Sequence, residues 1–173
     1  MAQLSDHEVE SLVLVDDGTF PNSRLPVLIY RRSFPVVPEL ARIIELSFAK
    51  NGWTNGWRNG IYDYAHYHST VHEVLGCYEG RAQVQLGGPG GHDIELSPGD
   101  TLVIPAGVAH RKVESSLDFH VVGAYDAGLI YDMNRGNPRE RPGADQRIGK
   151  VPLPQKDPVW GALGPLLESW VAL

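Results

Sequence analysis

Residues 60–114 carry glycines, histidines, a carboxylate and a proline at intervals that suit short strands joined by tight turns and suit little else. Gly60 is followed after five residues by His66-x-His68, after four more by Glu73 and after six more by Gly80. Gly99 is followed after five residues by Pro105-x-Gly107 and after two more by His110. Residues two apart on a strand point to one face, so His66 and His68 can aim inward together. The short, mostly polar stretch Ser69-Thr70-Val71-His72 lets the chain turn back and present Glu73 from a neighbouring strand. Two or three imidazoles and one carboxylate form a borderline-hard donor set. It suits one divalent transition metal ion (Fe, Mn, Ni, Zn or Co) and leaves positions open for water or substrate. A lone histidine such as His110 on an apolar strand is more often a hydrogen-bonded core residue than a ligand. Four donors arriving together on two spaced motifs are a far more specific signal. His72 lies beside Glu73, and strand neighbours face opposite ways, so it falls outside the donor set.

The rest of the chain repeats the same texture of short apolar runs and turns. Ser11–Val15 and Leu25–Tyr30 are β-leaning runs separated by Asp16-Asp17-Gly18 and Pro21-Asn22, and they read as an arm added to a sheet edge. Between Pro38 and Lys50 the period changes: Leu40, Ile43, Ile44 and Phe48 follow helical spacing, interrupted only by Ser47, and Asn51-Gly52 supplies a stop. Strands are expected at Gly60–His68, Glu73–Tyr78, Ala82–Leu86, Ile94–Leu96, Thr101–Ile104, Arg111–Glu114 and Phe119–Tyr125. Gly87–Gly91 reads as a loop and Ser97-Pro98-Gly99-Asp100 as a turn. This all-β spacing indicates an antiparallel sandwich or barrel. Residues 134–158, rich in Pro, Arg, Asp and Gly, read as an extended surface segment. Trp160, Leu163, Leu166, Leu167 and Trp170 follow, an apolar set that must return to the barrel or cross to a partner subunit to avoid exposure.

Length and charge narrow the function classes. With 173 residues the chain fits one domain that buries most of its surface without staples. We expect 1–52 to form the arm and helix, 53–126 the barrel core, and 127–173 a C-terminal extension. A single cysteine, Cys77, excludes an internal disulfide and fits a reducing, cytoplasmic setting. No basic-then-apolar leader stands at the N-terminus, and Leu12–Val15 is too short to cross a bilayer, so no membrane role is expected. A formal charge of −6, with no basic cluster beyond Arg31-Arg32 and Arg111-Lys112, argues against a nucleic-acid partner.

The two motifs resemble the two signatures of the cupin superfamily. The first matches G-x5-H-x-H-x4-E-x6-G without a gap, and the second matches G-x5-P-x-G-x2-H-x3-N until Glu114, which stands where the pattern has Asn. Beyond them, DDGTFPN, LPVLIY, WRNGIYDY, VVGAYDAG and VPLPQKDPVWG resemble the small, single-domain YjlB-like cupins over nearly the whole chain. The resemblance implies a double-stranded β-helix, or jelly-roll barrel, with a metal bound by His66, His68, Glu73 and His110. It also adds a warrant for a homodimer, which the apolar ends and sheet edges of the chain suggest independently.

Alternation places Tyr62 and Tyr64 on the face of His66 and His68, where they line a substrate pocket or fill the core. If His110 opens a strand, Lys112 and Glu114 share its parity, and Glu114 is a candidate pocket carboxylate or a solvent-facing charge. The function expected is a small-molecule metalloenzyme of dioxygenase type. The alternatives are a metal-dependent isomerase or lyase that needs no oxygen, and a cupin that only binds a small ligand.

Overall fold

In the computed structural model, which describes residues 8–172, nine strands form two antiparallel sheets. The strands are β1 (Val9–Leu14), β2 (Ser23–Tyr30), β3 (Trp53–Asn59), β4 (Glu73–Glu79), β5 (Ala82–Leu86), β6 (His92–Leu96), β7 (Thr101–Ile104), β8 (His110–Ser115) and β9 (His120–Asp126). The large sheet runs β1-β2-β7-β4-β9-β3 and the small one β6-β5-β8. This is the expected jelly roll. Residues 1–7, the start of the expected arm, and residue 173 lie outside the described part.

Sequence pattern and layering agree strand by strand. β5 reads AQVQL and alternates, with Ala82, Val84 and Leu86 buried and Gln83 and Gln85 half-buried, as befits a strand covered on one face. β4 and β7 are buried almost throughout, because the large sheet is covered on both faces. Its inner face meets the small sheet across a core that includes Val27, Ile29, Leu75, Val84, Leu86, Leu96, Leu102 and Val121. Its outer face, with Leu28, Tyr30, Val74, Val103 and Val122, is covered by helix α1 (Leu40–Lys50) and by the C-terminal tail. The buried face of α1 is Leu40, Ile44 and Phe48. Gly76 in β4 makes their close approach possible, since a Cβ there would lie 2.6 Å from Ile44 Cγ2.

The tail returns to its own barrel. After α2 (Gly143–Ile148) it runs to the buried Asp157, which accepts hydrogen bonds from Tyr30 Oη (2.7 Å), Val159 N (2.8 Å), Trp160 N (3.0 Å) and Leu166 N (3.2 Å). The short helix α3 (Pro165–Ser169) then seats Leu166 and Trp170 against the sheet, and Trp170 Nε1 donates to Pro26 O at 2.8 Å. Among the described residues no helix is long and apolar enough to cross a membrane.

Two expectations are corrected. Gly60–His68 is not a strand: within it only His66 and Tyr67 pair, each through an isolated bridge, to His110 and Asn134 on opposite sides. The strand that precedes this segment, β3, has no clear sequence signal. It is an edge strand with only Trp53 fully buried, Asn55 sits at φ 57°, and its register against β9 shifts between Thr54 and Trp57.

Candidate metal centre

His66, His68 and His110 meet at the bottom of a cavity inside the barrel, with ligand nitrogens all within 4.8 Å of one another. The bridge between His66 and His110 fixes two of them, through His66 N to His110 O at 3.2 Å and His110 N to His66 O at 2.9 Å. The two-residue spacing brings His68 beside them, and the rings of His66 and His110 lie 4.2 Å apart. All three rings are nearly fully buried.

Main-chain oxygens set their tautomers. Nδ1 of His66 lies 3.0 Å from Tyr64 O, Nδ1 of His110 lies 3.0 Å from Val108 O, and Nδ1 of His68 lies 2.5 Å from Asp132 O. A carbonyl can only accept, so each Nδ1 carries the proton and, in the neutral ring, each Nε2 presents a lone pair. Glu73, the first residue of β4, adds a buried carboxylate whose Oε2 lies 3.3 Å from His68 Nε2 and 3.1 Å from His110 Nε2. That oxygen is buried without a well-aligned hydrogen bond. An orphaned carboxylate oxygen facing free imidazole nitrogens is costly in a dry protein and is satisfied by a divalent cation. The donor set therefore fits a transition metal ion.

Charge in the cluster follows from burial and proximity. Burial, reinforced by His110, pushes His66 down to about 3, so it is neutral at ordinary pH. Burial alone would raise Glu73, but His68 and His110 outweigh it and hold the carboxyl well below its usual range. Burial likewise opposes the charged form of His68, yet Glu73 beside it shifts the ring upward. Asp132 organises the approach to His68, since its carboxylate accepts from Ser69 N at 2.6 Å, from Asn134 Nδ2 at 3.0 Å and from the Ser69 hydroxyl. His72 is turned away, as its position beside Glu73 requires. Its Nδ1 accepts from Ala106 N at 2.9 Å and its ring lies 4.8 Å from that of Trp170.

The cavity above the histidines measures about 350 Å³. Tyr62 stands at its mouth, 54% exposed and edge-on to His66. Tyr64 stacks behind Tyr62 at 4.8 Å under the guanidinium of Arg135 and does not line the cavity, because residues 60–65 are a loop without strand alternation. Of the two places open to Glu114, the structure gives the outer one. The register of β8 against β5 shifts, so Lys112 pairs with the buried Val84 whereas Glu114 pairs with Gln83. One extra residue reverses the side a chain presents, and Glu114 faces a separate outer groove with Arg81 and Asp93. Lys112 takes the inward place.

Trp57, Tyr125, Tyr131 and Met133 also line the cavity and carried no functional signal in the sequence. Tyr125 stands opposite Glu73 in the β4–β9 register, a relation visible only once the strands are paired. Tyr131 belongs to the irregular stretch after β9 and stacks on Tyr125 at 5.0 Å.

A jelly roll whose two signature segments gather three buried histidines and a glutamate defines a cupin, and the chain belongs to that family. The cupin-domain family pattern matches residues 58–117. Over 167 residues the chain is 41% identical to the uncharacterized protein YjlB of Bacillus subtilis (strain 168), covering 96% of this chain and 99% of that one. Among solved structures it is similar to acireductone dioxygenase from Bacillus anthracis with cadmium ion in its active center, at 17% identity and TM-score 0.43, over 61% of this chain and 82% of that one. It is also similar to procruciferin, an 11S globulin from Brassica napus, at 18% identity and TM-score 0.38 over 75% of this chain, which spans 27% of the globulin.

Proposed function

We propose that this cupin is a small-molecule metalloenzyme of dioxygenase type, with one divalent transition metal ion held by His66, His68, His110 and Glu73. The observation that carries the reading is the convergence of three Nε2 lone pairs, freed by main-chain acceptors and facing an orphaned carboxylate oxygen, at the floor of an accessible cavity. The chemistry gained with a bound ion is Lewis-acid polarisation or one-electron redox at open coordination positions.

The protein's own residues bind and orient. The cavity takes one small molecule, entering past Tyr62. Trp57 Nε1 donates to the Tyr125 hydroxyl at 2.9 Å, and an indole N–H can only donate, so the phenol accepts there and keeps its own proton for a bound oxygen. Burial and the nearby Glu73 charge raise the Tyr125 pKa, which keeps that proton in place. Tyr125 and Tyr131 together shield the wall from water.

The test is elemental analysis of protein purified without added metal, followed by an oxygen-consumption screen over small-molecule substrates. About one ion per chain with substrate-dependent oxygen uptake is expected. Turnover without oxygen would reassign the site to an isomerase or lyase. Absence of turnover with any metal would reduce it to ligand binding.

A further inference from the structure

We propose that the molecule taken up by this cavity is a small, flat monoanion, an aromatic or conjugated carboxylate, with its charge met by Lys112 and its body laid against Trp57, Tyr125 and Tyr131. The inference rests on the functional reading above only in taking this cavity as the substrate site.

Two side chains with permanent positive charge line the cavity, Arg58 and Lys112. Arg58 is already spent. Its Nε lies 2.5 Å from Glu45 Oε1 and its Nη2 lies 2.9 Å from Glu45 Oε2, a bidentate pair that uses the guanidinium edge. Among the described residues no ion pair or side-chain hydrogen bond engages Lys112. The carboxylate two positions on, Glu114, is carried to the other side by the register shift and opens onto the outer groove. The strand that bears Lys112 is fixed on both sides, by its pairing with β5 and by the bond from Lys112 N to Tyr62 O at 2.8 Å. An uncompensated ammonium at the wall of a half-buried cavity selects an anion. One unpaired side-chain cation on this wall matches a single carboxylate group placed against it.

The aromatic wall sets the shape of the ligand. Tyr125 and Tyr131 stack with their planes 25° apart. Trp57 lies flat on β9 because Gly123 has no side chain; a Cβ there would come 2.2 Å from Trp57 Cζ2. Such a wall favours a planar π-system in offset or edge-on contact over a branched aliphatic body. The free proton of the Tyr125 hydroxyl adds one donor for a carbonyl or hydroxyl oxygen on the same molecule.

Calorimetric titration of the protein as purified tests both parts, with benzoate, benzamide and benzylamine as one ring carrying three charges, and with cyclohexanecarboxylate as the non-planar anion. Benzoate should bind about tenfold or more tightly than benzamide, the size of one charge-assisted hydrogen bond. Lys112→Met should abolish that difference, and Lys112→Glu should turn the preference towards benzylamine, each with metal content unchanged. Cyclohexanecarboxylate should bind several-fold more weakly than benzoate. Equal binding of benzoate and benzamide, no saturable benzoate binding, or a preference that survives Lys112→Met would overturn the charge assignment; equal binding of the two carboxylates would overturn the planar one. Calorimetry needs no turnover. A failed oxygen screen beside an intact, Lys112-dependent preference would thus refute the enzymatic reading alone, and the converse pattern would refute this inference alone.

Discussion

Acid should destabilise this protein through a histidine that takes no part in the metal cluster. His72 lies on the outer side of the large sheet, 3% exposed, with its ring on Trp170 and its Nδ1 occupied by the Ala106 N–H. Burial, only partly opposed by the Pro152 carbonyl, lowers its pKa from 6.5 to about 4. The unfolded chain therefore binds a proton at this position across a window in which the folded chain refuses it. The stability is complete above about pH 6.5 and is lost progressively as the pH falls towards about 4. A shift of this size is worth about 3 kcal/mol when fully expressed and about 2 kcal/mol at pH 5. His72→Asn isolates it, because the asparagine oxygen can still accept from Ala106 while nothing at the position titrates. Urea unfolding at pH 7 and pH 5 should show wild type losing about 2 kcal/mol more than the variant. His66 also sits below its ordinary value, but it is present in both proteins and cancels in the comparison. A variant that loses as much stability as wild type would refute the claim that His72 is held neutral by burial.

Replacing His68 with Ala should strip most of the metal while far-UV circular dichroism stays nearly unchanged, because the core rather than the ion supplies most of the stability at this length; unfolding under native conditions would show the ion to be structural. Asp132→Ala releases Ser69 and loosens the segment whose carbonyl holds His68, so metal affinity measured against a competing chelator should fall about 10- to 100-fold, and an unchanged affinity would contradict that role. Gly76→Ala drives a methyl to within 2.6 Å of Ile44 and should cost about 1–3 kcal/mol in chemical denaturation, and an unchanged midpoint would contradict the close approach of α1 to β4. The homodimer remains a proposal carried by the free edge of β1, with Val13 59% exposed, since the tail is engaged by its own sheet; light scattering that gives a single-chain mass at every concentration would reject it.

What was legible in the sequence was local. The His66-x-His68 spacing, the turn to Glu73 and the glycines around them are neighbours in the chain, and the structure gathers those residues, with isolated bridges in place of the expected strand. The α1 stripe was legible for the same reason: Leu40, Ile44 and Phe48 repeat along one face. Relations between segments were not. Parity leaves Glu114 either a pocket carboxylate or a solvent-facing charge, and what decides between them is a register shift that belongs to the β5–β8 pair and not to one strand. β3 was missed because an exposed edge strand needs few apolar residues, and TNGWRN supplies turn-like chemistry instead. Asp157 looked like one more charge in a polar segment, yet it binds four groups drawn from β2 and the tail.

Each cluster imidazole takes its orientation from a peptide oxygen, of Tyr64, Val108 or Asp132. Peptide oxygens are present whatever side chain the residue carries, so the donor geometry is inherited with the path of the backbone. It can be disturbed by moving that path but not by exchanging the acceptor. The walls above are built the other way, from side chains such as Lys112, Trp57 and Tyr131 that differ from one amino acid to the next. Mutation can therefore retune what fits the cavity while the floor stays intact, so that donor geometry and cavity selectivity in this barrel are separately heritable traits.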